Sequence, residues 1–131
     1  MIIISIFFLF VMIFSPMRMP VVFIRIHVLW NTPIGTSMDN VIDVINSKDG
    51  WGNPIINTSF GFEHPTRFFD TTDGLRERVI IGTQSIQTRI IIYNFNILPF
   101  HQRNIHILWG FNEEGELIDI YVSANYSPRL R

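Results

Sequence analysis

The stretch HILWGFNEEGELIDIYVS, from His106 to Ser123, decides the fold because it is typical of two strands joined by a tight turn. Apolar residues alternate on both sides of the segment NEEG. A period of two indicates a strand with one buried face, and Gly115 suits a turn position that needs a positive φ. We therefore expect an antiparallel hairpin whose buried face is made by alternate side chains: Ile105, Ile107, Trp109, Phe111, Ile118, Ile120 and Val122.

Length and composition restrict the class of protein. The chain has 131 residues, of which 47% are hydrophobic and 16% charged, so we expect one folded domain and exclude intrinsic disorder as the main state. A net charge of -1 is too small for the basic surface that nucleic-acid binding needs. The absence of cysteine excludes disulfides, thiolate zinc sites, a cysteine nucleophile and a thiol acceptor for lipid.

An almost unbroken apolar run occupies residues 2–14, and Pro16 and Pro20 follow it. The run has the length of a signal-peptide core and is short for a membrane-spanning helix. We expect residues 1–20 to be a leader, either a signal peptide or a membrane anchor, and residues 21–131 to form a single domain. The alternative is an N-terminal helix or strand that is buried in that domain.

The residues after the leader contain one clear helix signal. The segment TSMDNVIDVINSKDG predicts an amphipathic helix, with Thr36 and Asp39 in a pattern similar to a capping box and Gly50 at its end. Met38, Val41, Ile42 and Ile45 share its apolar face.

Alternation and turn residues predict the other elements. We expect strands in VVFIRIHVLW, WGNPIINTSFGF, SIQTRIIIYNFN and RNIHILWGF, and a surface loop in EHPTRFFDTTDGLRER because it concentrates charge, proline and glycine. The fold class is therefore α+β, with one main amphipathic helix packed on an antiparallel sheet of four to five strands.

Two short segments are similar to a known family. GTSMDNVIDVI, through Gly35, Ser37, Val41 and Ile45, resembles the helix entrance of the SmpA/OmlA (BamE-like) group of small bacterial envelope proteins. FNEEGELIDI resembles the closing ribbon of the same group. The resemblance implies a location at the bacterial cell envelope, exported or tethered to the membrane, and a surface that binds another protein. Members of this family usually carry an N-terminal cysteine for lipid attachment, whereas this chain contains no cysteine.

Two groups of residues are candidates for partner contact. Arg67, Phe68 and Phe69 lie together in the expected loop, and aromatic and arginine side chains dominate protein interfaces. The alternative is that the two rings fold back to cover the edge of the sheet. The second candidate is the more polar strand face, which carries Arg25, His27, His106, Asp119 and Tyr121. The partner is another protein or a second copy of this chain.

The sequence contains few indications of catalysis or of metal binding. The chain has no nucleophile elbow, phosphate-binding loop, zinc-helix or dinucleotide motif, so we expect a non-enzymatic binding domain without cofactor or metal. The alternative is a small hydrolase or metal-binding protein that uses the loop 63–74 and the four histidines. Its candidate groups are Glu63, His64, Asp70, Asp73, Glu77, His27, His101 and His106.

Overall fold

The computed structural model describes residues 1–7, 17, 19–93 and 101–128. Most of the leader and the connection 94–100 lie outside these residues, so the expectations that concern them stand as predictions. Residues 2–7 are helical (α1). The remaining elements are α2 (Val21–Asn31), α3 (Met38–Ser47), β1 (Ile55–Asn57), β2 (Phe62–Asp70), β3 (Arg76–Ile81), β4 (Gln84–Tyr93), β5 (His101–Phe111) and β6 (Leu117–Pro128).

The α+β class is confirmed. Four antiparallel strands form the main sheet in the order β1-β4-β5-β6, and β2 and β3 form a separate two-stranded hairpin. The hairpin predicted from His106 to Ser123 is formed by β5 and β6, which pair from His101 and Pro128 to Phe111 and Leu117. Gly115 closes its turn with φ +77°, and its N–H donates to the carbonyl of Asn112 at 3.0 Å.

One face of the main sheet carries the core. Ile105, Ile107, Trp109 and Phe111 are fully buried together with Ile86 of β4 and Val41 and Ile45 of α3. Ile120 and Val122 join them, but Ile118 is 43% exposed. The reason is a register shift beside Gly110 and Phe111, which turns Ile118 away from the face expected from strict alternation.

The helix predicted after Gly35 is α3, and its amphipathic pattern is confirmed. Its N-cap is Ser37, whose side chain accepts a hydrogen bond from the N–H of Asn40 at 3.3 Å. Thr36 has another role, because its N–H and hydroxyl both bond the carbonyl of Pro33. Gly50 follows the helix end with φ +86°.

The strand predicted in VVFIRIHVLW is wrong, because these residues form helix α2. Ile24 and Val28, four residues apart, are buried, whereas Ile26 and Trp30 are exposed. A segment in which nearly every residue is apolar fits both periods, and packing of the i and i+4 positions on the sheet selects the helix here.

The strand predicted in WGNPIINTSFGF is wrong in length. Only Ile55–Asn57 pairs with β4. The side-chain oxygen of Asn57 then accepts hydrogen bonds from the N–H groups of Ser59 and Phe60, at 2.9 and 3.0 Å, and turns the chain. Phe62 consequently belongs to β2.

The surface loop predicted in EHPTRFFDTTDGLRER is also wrong. These residues form most of β2, the turn after it and the start of β3. Pro65 has no N–H to donate to the neighbouring strand. It is accommodated because the register of β2 with β3 breaks between Glu63 and Phe68, so that no hydrogen bond between the strands is lost. Gly74 closes the turn, donating to the carbonyl of Thr71 at 3.0 Å.

The core extends upstream of residue 21. Met17 and Met19 are both buried against it, and Nη1 of the buried Arg103 donates to their carbonyl oxygens at 2.9 and 2.8 Å. The end of the expected leader is therefore packed and hydrogen-bonded to the sheet. None of the helices among the described residues is long and apolar enough to cross a membrane.

Candidate functional site

The hairpin of β2 and β3 packs on the face of the main sheet opposite the helices. A side-chain carbon added at Gly110 would meet Ile81 and Phe62 of the hairpin, so the two layers touch at this strand position. The hydroxyl of Ser85 donates to the carbonyl of Phe60 at 3.0 Å, and the rings of His64 and Tyr121 lie 4.9 Å apart. The face expected to be free is therefore partly covered by the chain itself.

A surface that we call the hairpin patch lies at the far end of β2 and β3. It comprises Phe68, Asp70, Arg76 and Arg78, which share one face of the two-stranded ribbon. Phe69, which is paired with Glu77, points to the other face, and Arg67 precedes Phe68 in β2. The guanidinium carbons of Arg76 and Arg78 lie 5.2 and 6.0 Å from the centre of the Phe68 ring. Register places Arg78 directly opposite Phe68, and a guanidinium near an aromatic face is attracted by the ring quadrupole.

The aromatic rings on both faces of the hairpin end are accessible to solvent. Phe68 is 43% exposed and Phe69 47% exposed, so neither is folded back as a covered side chain. Asp70 pairs with Arg76 at 3.8 Å, and both of these side chains are exposed. The patch thus combines apolar area with charges of both signs.

The other predicted contact residues do not form one surface. Arg25 and His27 lie on α2, on the opposite side of the sheet from the hairpin, because α2 is a helix and not a strand. His106 and Tyr121 lie on β5 and β6 and are half-buried. Two of them contact a neighbouring layer: Nη2 of Arg25 reaches the carboxylate of Asp119 on β6 at 3.6 Å, and the Tyr121 ring contacts His64 of the hairpin.

Asp119 and His64 connect the sheet to the hairpin. Burial lowers the pKa of His64 below its ordinary value of 6.5, the charge of Arg67 lowers it further, and Asp119 opposes both effects. The N–H of Thr66 donates to Nδ1 of His64 at 3.3 Å, which requires the neutral ring. His64 is therefore a neutral contact between layers.

His27 has a structural environment of its own. Its ring meets Trp51 edge-on, with 6.0 Å between centroids, and Trp51 stacks in turn on Trp109. Burial lowers the pKa of His27, and the charge of Lys48 lowers it further. These contacts place His27 at the margin of the core.

A cleft of about 360 Å³ opens between the hairpin and β1 with β4. Its lining is mainly polar and includes Asn57, Glu63, Arg78, Ser85, Gln87 and Leu108. Farther along β4 and β5, the Asn104 side-chain oxygen accepts hydrogen bonds from Gln102 and Arg89 at 3.2 and 3.5 Å. The side chains of this sheet face are thus held in a polar network.

The groups proposed for hydrolysis or metal binding are dispersed. Among the described residues, no three His, Asp or Glu side chains come together in a way that could hold a metal ion. His64 contacts Tyr121, whereas Asp70 pairs with Arg76 at the other end of β2. His101 and His106 both belong to β5.

Sequence reasoning missed the two arginines of β3. Arg76 and Arg78 reach Phe68 only through the pairing of β2 with β3, and the segment had been interpreted as a loop. The alternation of Arg76, Arg78 and Ile80 with Glu77, Val79 and Ile81 was the available signal.

Comparison of the chain with protein-family models, curated proteins and solved structures finds no match.

Proposed function

We propose that this chain is a small non-enzymatic binding domain that is held at a membrane of the bacterial cell envelope and recognises another protein through the hairpin patch. The observation that carries the proposal is the exposed Phe68 ring with Arg76 and Arg78 beside it. Aromatic and arginine side chains provide most of the binding energy in protein interfaces.

The hairpin patch is suited to recognition because its central ring is oriented before a partner arrives. Cation–π contacts with two arginines limit the positions of Phe68, so binding orders fewer rotamers. Asp70 supplies an acidic group on the same face, whereas the exposed Phe69 ring and Glu77 lie on the other face of the ribbon. A partner with an apolar pocket and a mixed polar rim fits this arrangement.

The membrane attachment is supported by α1. Met1 and the five apolar side chains of α1 are between 63% and 101% exposed. These five side chains surround most of the circumference of the helix: Ile2, Ile3, Ile4, Ile6 and Phe7. A protein groove covers one face of a helix, whereas lipid solvates all of them. Lipid is therefore the environment that suits α1.

The resemblance to the SmpA/OmlA (BamE-like) group is part of the proposal. Ser37 as N-cap of α3 and Gly115 in the closing turn are the positions that the resemblance uses, and both have the local roles it implies. Any helix cap and hairpin could choose these residue types, so they support the envelope location only together with α1.

The test is photo-crosslinking of the full chain in intact cells, with a photoreactive phenylalanine analogue in place of the exposed Asp70, which lies on the same face of the ribbon as Phe68. We expect one stoichiometric crosslinked protein, and we expect Phe68→Ala to reduce its yield at least tenfold. The matched control is Phe60→Ala, because Phe60 is 67% exposed but lies outside the hairpin patch. Equal yields from the two variants, or no stoichiometric product, would contradict partner binding by the patch.

A further inference from the structure

The outer face of α2 is apolar and uncovered. Val22, Ile26 and Trp30 are spaced by four residues, which places them in one row along the helix. They are 67%, 44% and 83% exposed, while Ile24 and Val28 on the opposite side are buried in the core. A helix that is apolar on both faces is normally covered by protein or by lipid on each face.

No charged side chain interrupts this row. Arg25 flanks it on one side, and its guanidinium reaches across to Asp119 at the edge of the sheet. His27 flanks it on the other side and packs against Trp51. Both polar side chains of the flanks therefore make contacts inside the domain, and the outer face presents hydrocarbon and one indole.

The chain just before α2 is fixed to the domain. Arg103 holds the carbonyls of Met17 and Met19, and Pro20 then begins the helix as its N-cap. The segment by which the leader joins the domain therefore has a defined position beside the N-terminal end of α2. A membrane that receives the leader would come close to this end of the helix.

We propose that the outer face of α2 lies on the surface of the lipid bilayer, with Trp30 at the level of the headgroups. The inference rests on the proposed membrane attachment through α1 and deepens it by giving the domain an orientation. Tryptophan favours the membrane interface because its ring is apolar and its N–H remains polar. An amphipathic or apolar helix face of this kind buries readily at the boundary of headgroups and acyl chains.

This orientation agrees with the layers of the fold. The helices cover one face of the main sheet and the hairpin covers part of the other, so the sheet lies between α2 and the hairpin that carries the hairpin patch. With α2 on the bilayer, the hairpin patch is on the side away from lipid. It then faces the aqueous phase, where a protein partner can reach it.

Lipid suits this face better than a second copy of the chain. A stable protein interface buries about 800 Å² from each partner. One helix of eleven residues is about 16 Å long and about 10 Å wide, so its outer face alone supplies far less. A bilayer needs no such minimum area, since α1 already provides the attachment.

The test uses the intrinsic fluorescence of the full chain, because Trp30 is exposed whereas Trp51 and Trp109 are buried. The protein is added to phosphatidylcholine vesicles with and without dibrominated acyl chains, and binding is measured separately by co-sedimentation. We expect a blue shift on binding and quenching by the brominated lipid, with both effects lost in Trp30→Phe. Binding without quenching of Trp30 would overturn the orientation and leave the attachment intact.

Three variants separate the inference from the proposed function. Trp30→Ser is expected to weaken binding to the vesicles roughly tenfold, by loss of buried aromatic area. Phe60→Ser, which removes a ring that is 67% exposed elsewhere on the surface, should leave binding unchanged. If Ile3→Asn with Phe7→Asn abolishes binding while Trp30→Ser has no effect, α1 is an anchor and the α2 inference is wrong. If the native chain does not bind the vesicles, a lipid contact for α2 is rejected. A blue shift of the tryptophan fluorescence that follows protein concentration in the absence of vesicles also rejects it.

Discussion

The indole N–H of Trp109 donates a hydrogen bond to the hydroxyl of Thr32 at 3.1 Å, and both residues are fully buried. Trp109 lies on the central strand β5, and Thr32 is the C-cap of α2, where its hydroxyl also donates to the carbonyl of Val28 at 2.7 Å. One hydroxyl thus satisfies a helix end and the indole of the largest core side chain. It fixes where α2 stops on the sheet.

Replacement of Thr32 tests this connection. Thr32→Val keeps the shape of the side chain but leaves the Trp109 N–H buried without an acceptor, so we expect a loss of about 1–3 kcal/mol in the free energy of unfolding. Thr32→Ser retains the hydroxyl and should lose less. Urea denaturation of both variants provides the measurement. Equal midpoints for the two would mean that the hydroxyl contributes nothing.

Two glycines with nearly equal positive φ provide a second test. Gly82 has φ +78° and Gly74 has φ +77°, so alanine is strained by a similar amount at each. A side-chain carbon at Gly82 would also collide with the carbonyl oxygen of Phe111, whereas the space beside Gly74 is open. We expect Gly74→Ala to destabilise by about 1 kcal/mol and Gly82→Ala by clearly more.

The measurement for the glycine pair is thermal unfolding followed by circular dichroism. Gly82 enters the turn between β3 and β4, where the N–H of Thr83 donates to the same carbonyl of Phe111 at 2.8 Å. The collision therefore acts on the contact between the hairpin and the main sheet. A Gly82→Ala variant as stable as Gly74→Ala would show that the two layers are not packed at this point.

The helix cap gives a third prediction. Ser37→Ala removes the acceptor for the Asn40 N–H and should destabilise the protein by about 0.5–2 kcal/mol. Ser37→Asp restores an acceptor and should recover most of the loss. Thr36→Ala removes a hydroxyl that bonds Pro33, outside the helix, so it should cost less than Ser37→Ala. The reverse order in chemical denaturation would place the N-cap at Thr36.

Local signals were enough to predict β5, β6 and α3. The ribbon has strict alternation and a turn glycine, and α3 has a cap and a repeated apolar face, so each pattern fits only one structure. α2 was missed because its residues are apolar on all sides. A helix and a strand then bury similar side chains, and the choice depends on contacts such as Trp109 with Thr32, which no local pattern contains.

The candidate site was predictable only in part. Arg67, Phe68 and Phe69 are neighbours in the chain, so their exposure on one element could be anticipated. Arg76 and Arg78 come from another strand, and their position beside Phe68 depends on the register of β2 with β3. The outer face of α2 could not be foreseen, since an alternating strand would have placed Trp30 and Ile24 on the same side.

The protonation of His64 gives the last prediction. Its pKa is lowered in the folded protein, first by burial and then by the charge of Arg67, so the unfolded chain binds the proton more readily. The contribution of neutral His64 to stability is therefore complete above pH 6.5 and is lost as the pH falls from there through the folded-state pKa.

Titration of His64 by NMR should give a pKa below 6.5, and the direction of change in two variants follows from the charges around the ring. Arg67→Gln should raise the pKa, because a cation that opposes protonation is removed. Asp119→Asn should lower it, because a carboxylate that favours protonation is neutralised. Protonation also removes the Nδ1 acceptor used by Thr66, so His64→Gln should flatten the decline of unfolding free energy between pH 7.5 and 5. His27 retains its own share of that decline. A pKa at or above 6.5 would mean that the His64 ring is not buried against Tyr121.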